Sequence, residues 1–371
     1  MKQRVAVSVL LLASMAFPVA AQVTTSAVPF LLIAPNSRSS AMGEAGVALA
    51  DDAWAIYWNP AGFAFQNTAE AALTRADWLP AFGLSDLWIA HAVYKQPVEE
   101  VDGVVGVAVT YLSLGEFTKT LNDPTPLATF KGYEVAVSAG YGTKIGEETG
   151  LGVTVRLIHS SLAPFGTANE QGEGIATGFA FDLGVLYKPS SLFIPFTDVD
   201  MGNVWSFGAA LSNIGPKLTY IDKAQADPLP MNLRVGIAFN ALESEFNNIT
   251  VIGDLSRLLI TRKGTQTDEF YKAIFTTWTQ GSFFKEQMRQ FVSGIGAEYW
   301  YGAPRLIAMR AGFFYEDPRA GNRKFMTFGA GIRYDIYGFD FAYISAFEDQ
   351  HPLGETLRFS LGINWGAAGA Q

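Results

Sequence analysis

The chain has 371 residues and a formal net charge of −9, with 26 basic and 35 acidic side chains. It contains no cysteine, which excludes disulfides, thiol catalysis and cysteine-ligated metals. The acidic balance disfavours a nucleic-acid partner, because nucleic acids are bound mainly through Lys and Arg.

The first residues have the pattern of a secretory signal peptide. Lys2 and Arg4 form a short basic region, an apolar run covers residues 5–17, and small residues follow at 19–21. This pattern predicts cleavage directly after Ala21. The apolar run is shorter than the ~20 residues of a spanning helix, which disfavours a membrane anchor. Loss of the two basic residues changes the formal charge from −9 to −11.

The rest of the chain alternates in polarity over segments of about ten residues. Near the C-terminus, for example, large apolar residues alternate with Arg358, Ser360, Gly362 and Asn364. No segment after the signal is long and apolar enough for a membrane helix, and a closed barrel satisfies every backbone group between its strands. We therefore predict an all-β fold, a transmembrane antiparallel β-barrel of about fourteen strands. The predicted strands cover residues 69–77, 86–95, 103–112, 132–142, 150–160, 176–188, 203–213, 231–241, 247–258, 291–301, 305–315, 323–334, 338–347 and 356–365.

The predicted connections alternate in length. Those at 147–149 and 301–304 are short, whereas those at 113–131 and 259–290 are long. Barrels of the bacterial outer membrane have short periplasmic turns and long external loops. We therefore expect an outer-membrane protein with both termini on the periplasmic side.

The predicted inward face of the barrel carries charges of both signs. Mixed signs favour a packed network of ion pairs over a selective ion pore, which usually has a ring of one sign. The charged residues placed on this face by strand parity are Arg156, Arg234, Arg310, Arg333, Arg358, Asp182, Asp254, Glu298 and Asp335.

The longest external connection has helical spacing of aromatic and aliphatic residues. Phe270, Tyr271, Ile274, Phe275 and Trp278 have helical spacing within 268–278, and an apolar pattern continues after Gly281. From this stretch we select Phe270, Ile274, Trp278 and Phe284. A helix this apolar must cover something or be covered. It is either a lid packed over the barrel mouth or a docking surface for another protein, and these four residues are the candidate partner-binding anchors.

No catalytic residue, metal ligand or cofactor site is predicted. His91, His159 and His351 are scattered without metal-ligand spacing. The sequence has neither a nucleophile-elbow motif nor a zinc-protease motif. We therefore do not expect an enzyme.

The segment before the first strand, residues 22–66, is too long and apolar for a loose tail and does not alternate like a strand. We predict that it is a compact hatch, or plug, that fills the barrel mouth from the periplasmic side, and that the barrel itself covers 67–371. Its candidate site is the hatch motif Asn59, Pro60, Ala61 and Gly62, in which Asn-Pro favours a turn.

This segment also resembles a known family. It has Ala-Met-Gly at 41–43, Ala-Asp-Asp-Ala at 50–53 and Trp-Asn-Pro-Ala-Gly at 58–62. These motifs resemble those of the PorV/PorQ family of outer-membrane proteins, which is related to the FadL-type barrels. The opening pattern from Val28 to Arg38 is similar to that of the PorV branch.

The resemblance implies a fourteen-stranded barrel with a hatch that carries Asn59-Pro60-Ala61. It also implies a role in the type IX secretion system, in which the protein accepts cargo bearing a C-terminal signal domain from the translocon and passes it to the surface attachment complex. The implied partners are the translocon, cargo C-terminal domains, attachment-complex proteins and outer-membrane lipid. The alternative is a FadL-like channel for hydrophobic small molecules, which would need an apolar pocket and a lateral exit.

We expect the mature protein to begin at Gln22 and to run as a heat-modifiable, β-rich barrel in detergent. Intact mass spectrometry of protein from the outer membrane checks the first residue, and circular dichroism with and without boiling checks the barrel. A mass that includes Met1, or a helix-dominated spectrum, would contradict the expectation.

Overall fold

The computed structural model describes residues 26–120, 125–164, 173–193, 198, 200–222, 225–263, 266–279, 284–348 and 351–366. The predicted signal peptide, residues 1–21, lies outside the described residues. Within the described ranges, no helix is both long and apolar enough to cross a bilayer.

Fourteen of the strands in the described chain close a barrel, and two further strands form a small separate sheet. The strands are β1 (Ala69–Asp77), β2 (Leu87–Val98), β3 (Gly103–Lys119), β4 (Ala128–Ile145), β5 (Thr149–Ala163), β6 (Gly174–Tyr187), β7 (Trp205–Ile214), β8 (Asn232–Glu243), β9 (Asn247–Leu258), β10 (Arg262–Lys263), β11 (Gln266–Thr267), β12 (Val292–Tyr301), β13 (Ile307–Tyr315), β14 (Lys324–Tyr334), β15 (Tyr337–Ala346) and β16 (Leu357–Trp365). The two-residue strands β10 and β11 form the separate sheet. The predicted antiparallel barrel of about fourteen strands is confirmed.

Each barrel strand pairs with its neighbours along the chain, and the first and last strands close the wall. Ala69 of β1 lies opposite Trp365 of β16, and β9 pairs directly with β12. Strands β1 and β9 have the predicted bounds, whereas β3 continues to Lys119 instead of ending near 112. Its ladder with β4 continues through a bulge at Ser113, because backbone pairing needs no alternation of side-chain polarity.

The two ends of the barrel differ in the length of their connections. At one end, here called the short-turn end, lie 99–102, 146–148, 188–204, 244–246, 302–306 and 335–336. At the other, the long-loop end, lie 78–86, 120–127, 164–173, 215–231, 259–291, 316–323 and 347–356. The connection 188–204 is the long exception among the short turns.

The outer face of the wall is apolar and the inner face is polar. In β16, Leu361 is 59% exposed on the outside, whereas its neighbours Arg358 and Ser360 are buried inside. Exposed aliphatic residues repeat in this way around the barrel, as contact with lipid requires. Trp205 and Phe239 lie 4.6 Å apart, centroid to centroid, near the short-turn end and belong to an aromatic girdle.

The helices are short and do not form part of the barrel wall. In the N-terminal segment they are the 3₁₀ helices Pro29–Leu32 and Pro60–Phe65 and the α-helices Ser37–Ser40 and Ala55–Trp58. In the long connection between β9 and β12 they are the α-helices Phe270–Thr276 and Phe284–Met288 and the 3₁₀ turn Thr277–Thr279. The 3₁₀ turns Pro80–Phe82 and Glu99–Val101 lie between strands.

Residues 26–66, called the N-terminal segment below, run through the lumen from one end to the other. The amide of Ala27 donates to the carbonyl of Pro228 (2.9 Å) in a loop at the long-loop end, and the segment enters β1 at the short-turn end. Phe30 packs there against inward-facing Ile89 and Ile158. The first described residues and the end of β16 therefore lie at opposite ends of the barrel. The expectation that both termini are periplasmic concerns residues 22–25 and 367–371, which lie outside the described residues.

Candidate functional site

The Asn-Pro motif attaches the N-terminal segment to the wall near the short-turn end. The buried Asn59 amide nitrogen Nδ2 donates to the carbonyl oxygens of Val47 (3.0 Å) and Val185 (2.9 Å). Its Oδ1 accepts from the amide of Ala61 (3.1 Å), at the start of the 3₁₀ helix that Pro60 opens. One side chain thus closes the turn and links it to β6, which requires both a donor and an acceptor.

Inward-facing glycines allow the segment to lie directly on the wall. A Cβ on Gly184 would collide with Oδ1 of Asn59, and one on Gly312 would collide with the backbone of Gly43. A side chain at either wall position would push the segment away from the strand, so part of the chain's glycine content serves this close approach.

A network of buried charges holds the middle of the segment. Arg38 donates through Nε and Nη2 to the two oxygens of Glu298 on β12 (2.8 and 2.7 Å). Its Nη1 lies 2.5 Å from Asp51 and 3.2 Å from Asp52, which belong to the same segment. The bidentate geometry fixes the guanidinium in one orientation relative to the wall.

The network continues along the wall through strands β13 to β15. Nε of Arg310 donates to Glu298 (2.6 Å), and Nη1 donates to Asp340 (2.8 Å). Arg333 donates to the same Asp340 through Nη2 (2.7 Å). Arg38 therefore docks into a chain of alternating charges that the barrel supplies.

Two further charged residues of the wall contact the N-terminal segment at other positions along the lumen. Asp254 on β9 accepts the backbone amides of Gly46 (2.7 Å) and Val47 (2.9 Å). The guanidinium of Arg234 lies 4.9 Å from the ring centroids of both Tyr57 and Trp58. These contacts satisfy backbone donors and a buried cation that would otherwise be unpaired.

The predicted inward charges are mostly where strand parity placed them. Arg156, Asp182, Arg234, Asp254, Glu298, Arg310 and Arg358 are buried, and Arg333 is half-buried. Asp335 is the correction: it is exposed in the tight turn between β14 and β15, with a positive φ of 53°. Strand parity ceases to apply where the backbone turns.

At the short-turn end, the last aromatic ring of the segment lies between two lysines. Nζ of Lys144 is 5.1 Å and Nζ of Lys188 is 4.7 Å from the centroid of Phe65. Nearby, the hydroxyl and amide of Ser190 both donate to the Glu148 carboxylate, which lowers the pKa of Glu148. These contacts tie the connection 188–204 to the adjacent turn.

Two cavities remain beside the segment. One of about 20 Å³ lies near Phe30, Leu31 and His91. The other, of about 110 Å³, lies toward the short-turn end and is lined by polar groups that include Arg38 and Glu70.

The helix Phe270–Thr276 lies against the outer surface of the wall. Phe270 and Ile274 pack in a cluster with Phe181, Leu211 and Leu233. Those three wall residues alternate with inward-facing Asp182, Ala210 and Arg234, so they point outward. The helical spacing correctly predicts a helix in this loop. The helix covers the outer surface of the wall and not the mouth of the barrel.

The four predicted anchors of this loop therefore differ in surroundings. Phe270 and Ile274 are half-buried on the wall, while Trp278 is 43% exposed. Phe284 opens a short helix, and its side chain lies outside the described residues. Tyr271 and Phe275, which are 54% and 73% exposed, belong to the helical pattern of the sequence but not to the predicted anchors, and they form the outward face. Their spacing of four residues, offset by one from Phe270 and Ile274, is the signal that could have found them.

The fold and its filled lumen define a class of protein, the plugged β-barrels of the bacterial outer membrane. The family model of the type IX secretion system protein PorV matches residues 19–264, about two thirds of the chain. The chain belongs to this family, and it is an outer-membrane component of type IX secretion.

One solved structure supports the fold, and two others are also similar to the chain. The toluene transporter TodX of Pseudomonas putida is 15% identical, with 90% of this chain and 97% of that chain covered and a TM-score of 0.51. The Ralstonia pickettii toluene transporter TbuX is 13% identical over 89% and 97%, with a TM-score of 0.49. A Pseudomonas aeruginosa FadL homologue is 13% identical over 89% and 98%, with a TM-score of 0.47. No protein with a curated description matches the chain.

Replacing Glu298 with Gln should loosen the N-terminal segment while the barrel stays closed. The change leaves the buried guanidinium groups of Arg38 and Arg310 without their shared carboxylate, at a cost of about 3–5 kcal/mol. Hydrogen–deuterium exchange in detergent should therefore speed up in peptides that cover residues 36–50.

The matched control is Asp182→Asn, which breaks the buried ion pair with Arg156 (2.8 Å) between two strands of the wall, β5 and β6. It should leave exchange in 36–50 unchanged. Equal exchange in the Glu298 variant and the wild type would show that the ion pairs do not hold the segment.

Proposed function

We propose that this protein accepts secreted cargo carrying a C-terminal signal domain from the type IX translocon and hands it to the surface attachment machinery. The long-loop end then faces the cell exterior, and the partners are the translocon, the cargo domains and the attachment-complex proteins. Family membership supports the secretion role, and the finer assignment is our own.

The observation that carries this proposal is the occupied lumen. Arg38, Asn59 and the amides of Gly46 and Val47 each bond to the wall, and the segment they belong to runs the length of the barrel. A barrel filled in this way serves as a rigid scaffold that presents its loops and outer wall. Partners are then bound at the surface and not passed through the lumen.

The helical loop supplies the contact surface of the proposal. Tyr271 and Phe275 are exposed on the side of the helix that faces away from the wall, and Trp278 lies at its end. Aromatic side chains of this kind dominate the energy of protein interfaces. Phe270 and Ile274 support the same surface from below, because they fix the helix on the barrel. Phe284 remains a candidate anchor by its place in the sequence.

The alternative function is a channel for hydrophobic small molecules. The fold likeness to TodX, described as a toluene transporter, favours it. Transport would require the N-terminal segment to move, because the two cavities beside it measure about 20 and 110 Å³ and the larger has a polar lining.

Deletion of the gene should leave proteins with C-terminal signal domains stranded in the periplasm. The expected result follows from loss of the acceptor, and fractionation followed by immunoblotting of the cargo measures it. Normal secretion together with reduced uptake of a hydrophobic compound would instead establish the channel.

Replacing both Tyr271 and Phe275 with Ser should weaken capture of the translocon or its cargo at least about tenfold, because each buried aromatic anchor is worth roughly 1–3 kcal/mol. Quantitative pull-down from solubilised membranes is the measurement. The matched control replaces Tyr334 and Tyr337, two exposed tyrosines at the short-turn end, with Ser. Equal capture by both double variants would remove the helix from the interface.

A further inference from the structure

Arg257 is a buried cation on the outward face of the barrel. It lies opposite Leu233 in the register of β8 and β9, on the side that carries the exposed Leu255. Its side chain is nevertheless 1% exposed, because Thr277, Trp278 and Phe291 from the connection 259–291 fold over it. The sequence argument gave this residue no role.

The guanidinium of Arg257 is only partly satisfied. Its Nη2 donates to the carbonyl of Thr277 (3.0 Å) and to the side-chain oxygens of Gln287 (2.6 Å) and Gln290 (2.8 Å). All three acceptors are neutral. Nε and Nη1 are buried and have no hydrogen-bond partner among the residues that the structure describes.

Some other buried arginines of this chain have carboxylate partners, whereas Arg234 lies against the rings of Tyr57 and Trp58. Arg156 lies 2.8 Å from Asp182, and Arg310 lies 2.6 Å from Glu298. Among the described residues, no ion pair includes Arg257. A buried charge without a counter-ion is costly, and no described residue forms an ion pair with Arg257, so an anion from outside the described chain would stabilise it.

Trp278 is one of the side chains that cover Arg257. The centroid of the Trp278 ring lies 4.4 Å from the guanidinium carbon, and the indole is 43% exposed on its other side. The binding of an external anion to the guanidinium would require this ring to move. The ring of Phe291, at 5.5 Å, remains as a second cation–π partner.

The position of Arg257 identifies the kind of anion. It is the second-last residue of β9, at the long-loop end, directly beyond the lipid-facing Leu255 and Val235. Lipid headgroups begin where such an apolar band ends, and arginine donates readily to phosphate oxygens. An acidic peptide would instead approach from the aqueous side of the loops.

We propose that Arg257 is a binding site for the phosphate of an anionic lipid in the leaflet at the long-loop end. Nε and Nη1 donate to the phosphate oxygens, Nη2 keeps its bonds to the loop, and Trp278 moves to the rim of the site. A bound headgroup thereby joins the connection 259–291 to the bilayer.

The test uses the full-length mature protein in nanodiscs that contain equal amounts of phosphatidylglycerol and phosphatidylcholine. Native mass spectrometry measures the ratio of the two lipids that stay bound. The wild type should be enriched in phosphatidylglycerol, and Arg257→Met should lower that enrichment roughly tenfold or more, since it removes charged hydrogen bonds. Arg257→Lys keeps the charge and should retain part of the enrichment.

The matched control is Arg75→Met. Arg75 also lies on the outward face at the long-loop end and stacks on an indole, that of Trp88 at 5.0 Å, but it is exposed. This control should keep the wild-type enrichment. An equal loss of phosphatidylglycerol enrichment in both variants would show that surface charge in general causes the enrichment, and it would overturn the proposed site. Heat-modifiability of each variant confirms that the barrel is folded.

The fluorescence of Trp278 reports on the site directly. It is obtained as the difference between the emission spectra of the wild type and of Trp278→Phe. Phosphatidylglycerol should shift it, and Arg257→Met should abolish the shift. In detergent, inorganic phosphate should produce the same shift only weakly, because it lacks the acyl chains that the outer wall holds. A stronger response to an acidic peptide than to phosphatidylglycerol, or no shift with any anion, would overturn the proposal.

Discussion

The position of the N-terminal segment in the lumen depends on the ion pairs of the Glu298 carboxylate, which is held between Arg38 and Arg310. This carboxylate joins the N-terminal segment to the barrel wall, and all three groups are buried. Charges in such surroundings are tolerated only when each has its partner in good geometry. The segment must therefore lie in one register relative to β12 and β13, and the position of Arg38 along the lumen sets where Asp51 and Asn36 can lie.

The barrel could be predicted from the sequence because lipid imposes a strict rule on every strand. One face must be apolar, so β1 and β9 were delimited to the residue by the alternation of their side chains. The rule ends where the wall leaves the bilayer. Beyond Leu112, the chain turns polar with Glu116 and Lys119, although its backbone continues to pair with β4. Strand ends in water are set by hydrogen bonds that the side-chain pattern does not record.

The site was less accessible to prediction because its contacts join distant parts of the chain. The Asn59 motif was found as a turn, but its acceptor on Val185 is 126 residues away. Helical spacing predicts the helix around Ile274, yet the sequence near the helix does not indicate which surface of the barrel it covers. The outward face of Leu211 and Leu233 looked like ordinary lipid-facing wall until the loop was seen to lie on it. The burial of Arg257 could not be predicted for the same reason, since it depends on contact with Trp278 from the same loop.

The helix on the outer wall also changes the outline of the molecule in the membrane plane. A closed barrel viewed along its axis is nearly circular, and its neighbours could approach from any direction with equal effect. Here the helix Phe270–Thr276 and its exposed Phe275 protrude over strands β6 to β9, while the seam between β1 and β16 lies elsewhere on the circumference. The protein consequently has a front and a back within the bilayer, and a neighbour that diffuses in the membrane plane meets a different surface in that sector than on the rest of the perimeter.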